Sequence, residues 1–150
     1  MWIFSFLTAL LFSITYIAIF KFITTEKINL KYLFLVAVLS FSFSTISIFF
    51  TELEFGNRIQ HAVGGGFLVV LMLFLVVRNA KLDITKVQFF LFGVMLATTL
   101  GVFYELLEML GEFSTNIVFQ TGIYDTWLDL LSNTAGAFIG GAVLSLFLKK

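Results

Sequence analysis

Apolar residues run through this chain in five long blocks, 2–23, 32–50, 59–77, 87–109 and 127–148. Each is close to the ~20 residues at which an α-helix crosses the hydrocarbon core of a bilayer. Polar residues gather in the short stretches between the blocks. The blocks are too long for the strands of a transmembrane barrel, which need only about 9–11 residues. The second block alternates, with Ser40, Ser42, Ser44 and Ser47 set among Phe and Ile. A helix is still expected there, because an isolated strand leaves its backbone polar groups unsatisfied in lipid. The pattern therefore predicts an all-α integral membrane bundle of five transmembrane helices, forming a single domain over residues 1–150. The first block is read as a spanning helix rather than a cleaved leader, since no Lys or Arg precedes Lys21 and a leader needs a positive start and a shorter apolar core.

Composition agrees. Of 150 residues, 60% are hydrophobic and only 12% charged, against about 25% charged in a soluble domain. The formal net charge is zero, which suggests no nucleic-acid partner. The bilayer is the expected partner, and oligomeric state is not legible. The chain has no Cys, which excludes thiolate ligands and disulfides, and no Pro, which excludes proline kinks.

Charge then orients the bundle. Lys21, Lys27 and Lys31 follow the first block, Arg78, Lys81 and Lys86 follow the third, and Lys149 and Lys150 end the chain. With five spans, these eight basic residues fall on one side, and Arg58 alone falls on the other. The positive-inside rule puts the N-terminus outside and the C-terminus in the cytoplasm of a multi-pass inner (cytoplasmic) membrane protein.

The side opposite the lysines holds the candidate chemistry. His61 lies 17 residues from Arg78, Glu105 lies 19 from Lys86, and Asp129 lies 20 from Lys149. At helical rise these are about 26, 28 and 30 Å from the basic boundary, so the three share one layer. Ionisable groups at such a depth are costly and read as functional candidates. Glu105 and Glu108 are three apart, and Asp125, Asp129 and Asn133 are four apart, so each set lines one helix face if the fifth helix begins by Asp125. Gly64, Gly65 and Gly66 on the third helix, and Gly136 with Gly140 on the fifth, are expected to let those two helices touch.

Clustered carboxylates repel unless they are protonated or bind a cation. A divalent metal ion is therefore the expected cofactor, with His61, Glu105, Glu108, Asp125 and Asp129 as ligands. His61, Glu105 and Asp129 are the expected catalytic groups, with Arg58 and Asn133 in support. Each residue also has a plainer reading. His61 can bond a backbone carbonyl, and Asp125 can cap the fifth helix. Arg58 can pair with Glu54 or bind an anionic headgroup. Glu52, Glu54, Glu108 and Glu112 can be solvated charges.

At these positions the chain resembles the YjdF-like group of small bacterial inner-membrane proteins, itself related to the VanZ-like group. The likeness lies in Asn57-Arg58-Ile59-Gln60-His61, Tyr104-Glu105-Leu106-Leu107-Glu108 and Tyr124-Asp125-Thr126-Trp127-Leu128-Asp129. The tail Asn133-Thr134-Ala135-Gly136 is more similar to the VanZ-like form. The similarity covers residues 50 to 140. The group usually has an acidic residue and a lysine where Asn57 and Arg58 stand. The resemblance implies a membrane-embedded polar site and a link to the cell envelope, the VanZ-like group being associated with resistance to a glycopeptide antibiotic. It supplies no reaction.

Three functions fit these residues. One is an envelope enzyme or binding protein acting on a phospholipid or lipid-linked substrate, with a divalent cation bridging carboxylates and phosphate. Another is a cation- or proton-coupled transporter or channel subunit. The third is a non-catalytic partner in a membrane complex. Whether the protein is an enzyme is not decided by its sequence.

Overall fold

The computed structural model describes residues 2–47, 49, 55–115 and 123–149. Among them are five helices long and apolar enough to cross a membrane, and no strand. They are α1 (Trp2–Ile23), α2 (Leu30–Ser47), α3 (Gly56–Ala80), α4 (Lys86–Thr115) and α5 (Ile123–Ser145). The expected blocks and the helices coincide within a few residues at most ends. The end of the second block falls partly outside the described residues. Helix α4 runs to Thr115 instead of stopping at 109. A helix keeps its own hydrogen bonds whether lipid or water surrounds it, so hydropathy marks the lipid boundary and not the helix end. Helix α5 starts at Ile123, early enough for Asp125 and Asp129 to share its face. It stops at Ser145, beyond which the amides of Leu146, Phe147 and Leu148 each bond a carbonyl three residues back.

Helix α1 is apolar all round and leaves most of its surface exposed, as a lipid-facing helix should. It pairs with α2 as a hairpin. The serines of α2 explain themselves in that pairing: Thr45 Oγ1 donates to Ser5 Oγ at 3.1 Å and Ser44 Oγ to Thr8 Oγ1 at 3.4 Å. Ser40 Oγ bonds the Val36 carbonyl of its own helix at 2.7 Å, so its hydroxyl costs little when buried.

Helix α3 is the central element, touching α1, α2, α4 and α5. Its buried face of Val69, Val70, Met72, Leu73, Val76 and Val77 meets Phe89, Ala97, Ala137 and Leu144. At the basic end the chain turns sharply. Lys81 adopts the left-handed conformation (φ 52°) and the Leu82 amide bonds the Val77 carbonyl at 3.0 Å, closing α3. Four residues on, Thr85 and Gln88 cap α4 reciprocally: the Gln88 amide donates to Thr85 Oγ1 at 3.2 Å and the Thr85 amide to Gln88 Oε1 at 2.9 Å. Asn79 ties this end together, donating to the Tyr16 hydroxyl at 2.9 Å and accepting from the Asn29 amide at 3.3 Å.

The opposite end is irregular in one place. Residues His61–Phe67 of α3 form a π-helical segment, ended by a bond from the Leu68 amide to the Val63 carbonyl. Such wide turns are rare and concentrate at functional sites. This one contains Gly64, Gly65 and Gly66, and α5 lies directly against it. A β-carbon on Gly66 would stand 2.4 Å from the Asn133 carbonyl oxygen, and one on Gly136 would stand 1.8 Å from that of Ala62. The two backbones therefore touch, at the glycines the sequence singles out.

Candidate functional site

Backbone contact between α3 and α5 brings the first turns of both helices together. From α3 come Asn57, Arg58 and His61, and from α5 come Asp125, Asp129 and Asn133. Asp129 is their meeting point. It is 3% exposed and lies within an apolar helix. Its Oδ1 accepts a hydrogen bond from Asn57 Nδ2 at 3.1 Å and one from Arg58 Nη1, and it lies 3.3 Å from His61 Nε2. Arg58 Nη2 pairs with Asp125 Oδ1, and Nη1 also reaches the Asp125 carbonyl at 3.4 Å. The guanidinium thus spans both aspartates, one nitrogen to each. Two carboxylates face one guanidinium, with His61 and Glu105 beside them.

Glu105 reaches the same place from α4 and is 5% exposed. One ligand atom from each of His61, Glu105 and Asp129 lies within 4.8 Å of the others, a spacing at which the three could hold a metal ion. Thr126 of α5 hydrogen-bonds the Glu105 side chain. The Tyr104 ring meets the His61 ring edge-on, with centroids 6.2 Å apart and planes at 69°. One turn deeper, Asn133 is 2% exposed and packed between Gly65 and Gly101. Its Oδ1 lies beside His61 but makes no hydrogen bond of ordinary geometry among the described residues.

Of the residues expected to form one site, the fold gathers His61, Glu105 and Asp129 most closely. Arg58 and Asn133 flank them. Asp125 is engaged by Arg58. Glu108 is not part of that triad: the Tyr104 side chain hydrogen-bonds it, and both line a shallow cavity of about 210 Å³ with Leu107 and Gly111. Glu52 and Glu54 are outside the described residues, so a pairing of Arg58 with Glu54 falls there too. Sequence reasoning missed three things. It assigned Arg58 neither aspartate, although Arg58 is the one basic residue at that end. It gave Asn57 no partner, although Asn57 and His61 are four apart and share a face. It read Gly64–Gly66 as packing only, without the widened turn.

Among the described residues, five helices long and apolar enough to cross a bilayer, with ionisable side chains buried between three of them, are consistent with a multi-pass membrane protein. Over residues 1–150 the chain matches the family described as "Predicted membrane protein (DUF2238)", and it belongs to that family. No curated protein and no solved structure matches it.

Proposed function

We propose that this is a cell-membrane protein whose acidic end faces outward and binds a divalent cation through His61, Glu105 and Asp129. In this reading the ion holds the phosphate of a phospholipid or lipid-linked envelope substrate. The carrying observation is the triad itself: donors from three helices within 4.8 Å, two of them carboxylates buried in an apolar bundle. One imidazole nitrogen with carboxylate oxygens suits borderline and hard divalent ions. Three protein ligands leave a coordination position open, as catalytic zinc sites do. A bound ion supplies Lewis acidity toward a phosphoryl oxygen. Arg58, a quarter exposed at the mouth, is suited to the same anion.

The orientation rests on the eight basic residues gathered at the other end. The likeness to the YjdF-like and VanZ-like groups in the three site segments supports an envelope role. Against a transport path, the buried side chains of α3, α4 and α5 beyond Asn133 are apolar among the described residues.

The test is elemental analysis of protein purified in mild detergent, beside Asp129→Asn and Glu105→Gln. A near-stoichiometric divalent ion in the wild type, lost in both variants, is expected. A wild type that stays metal-free after resupply overturns the reading and leaves the cluster as a determinant of helix packing.

A further inference from the structure

The Asp129 oxygen that lies 3.3 Å from His61 is also the one Arg58 holds. A metal that took this same oxygen together with His61 would have to displace the guanidinium from it. Two positive charges cannot share that oxygen in a poorly screened setting without strong repulsion. Asp129 is 4% exposed at its side chain, whereas Arg58 is 25% exposed, so the arginine is the partner with somewhere to go. It stands in the first turn of α3, at the mouth of the site. Behind it, the buried Asn133 amide packs against Gly65 beside His61.

We infer that Arg58 is a displaceable latch: it holds Asp129 and Asp125 in the metal-free site, yields Asp129 to a divalent ion, and then binds a phosphate-type oxyanion at the mouth. The inference rests on the metal reading above and adds order to it. Metal and oxyanion bind cooperatively, because the metal frees the guanidinium and the oxyanion keeps it away from Asp129. Coupling of this kind is reciprocal. A planar guanidinium suits both of its partners, since carboxylate and phosphate each accept paired N–H donors.

The experiment titrates Mn²⁺ into the full chain in a phosphate-free detergent, read by electron paramagnetic resonance, for wild type, Arg58→Gln and Arg58→Lys. Each is measured alone, with inorganic phosphate, and with a short-chain phosphatidic acid. Without anion, Arg58→Gln should bind Mn²⁺ on the order of tenfold more tightly than wild type. Arg58→Lys, which keeps the charge but loses the two-pronged grip, should fall between them and guards against misfolding of the first variant. One of the two anions should tighten Mn²⁺ binding to wild type severalfold and leave Arg58→Gln unchanged. Response to phosphatidic acid alone identifies a lipid headgroup, and response to inorganic phosphate identifies a free anion. If wild type binds Mn²⁺ but both variants bind equally or more weakly, or if neither anion matters, the latch is wrong and the metal site stands. If none of the three proteins binds Mn²⁺, the metal reading falls and the latch with it.

Discussion

Arg58 meets two aspartates of α5, while the other described Lys and Arg residues belong to the far end of the bundle. Removing one member of a buried ion pair strands its partners' charge, at about 3–5 kcal/mol when burial is complete. With the guanidinium a quarter exposed, Arg58→Ala should cost about 2–3 kcal/mol in metal-free protein. Thermal unfolding in detergent measures this, and added Mn²⁺ should restore much of the loss, because an ion that binds only the folded state stabilises it. A loss that Mn²⁺ does not touch would count against the triad as its site. His61, Glu105, Asp129 and Asn133 were legible in the sequence because polar groups inside apolar blocks are costly and so conspicuous. Their partners were not. Nothing in the spacing of Asn57 or Arg58 says that α5 is the neighbouring helix.

Between α3 and α5 the contact is backbone on backbone, and it decides where the site forms. A methyl group on Gly136 would meet the Ala62 carbonyl at 1.8 Å, with no flexible side chain to move aside. Gly136→Ala should therefore separate the helices and destabilise the fold by about 2 kcal/mol or more. At Gly93 the nearest obstacle is a Val70 methyl at 3.0 Å, so Gly93→Ala should change stability little. Unfolding of the two variants side by side checks the contrast. The π-helical segment makes a second prediction. A π turn holds one residue more than an α turn. Deleting Gly65 should return His61–Phe67 to α-helix and leave Asn57, Arg58 and His61 facing α5, because the residue removed is the extra one that the wide turn absorbs. The contacts to Asp129 should survive with the helix, seen as bound Mn²⁺ and helical circular dichroism both retained; loss of Mn²⁺ would show that the wide turn itself shapes the site. The run of three glycines was visible in the sequence. The widened turn was not, because glycine is compatible with α and π geometry alike, and packing against α5 chooses between them.

The whole bundle divides its charge, with lysines at one end and the carboxylates of the site at the other. Since the chain contains no Cys, single cysteines can report which end faces out. A membrane-impermeant maleimide applied to intact cells should label Glu112→Cys and spare Lys27→Cys and Lys81→Cys. The reverse pattern would invert the orientation and put the site in the cytoplasm. At this level the sequence determined a good deal by itself. Five apolar blocks of spanning length leave few alternatives, because a backbone in lipid must satisfy its own hydrogen bonds. Helical rise alone places His61, Glu105 and Asp129 at one depth. Depth is a property of each helix taken singly, so a linear pattern can carry it. The glycines already point to α3 and α5 as neighbours, but which side chains meet within that layer also depends on how each helix is rotated, and only the tertiary structure decides that. Gly66 against Asn133 and Gly136 against Ala62 set the neighbour, and the π turn sets the rotation. Together they turn His61 and Arg58 onto one aspartate oxygen.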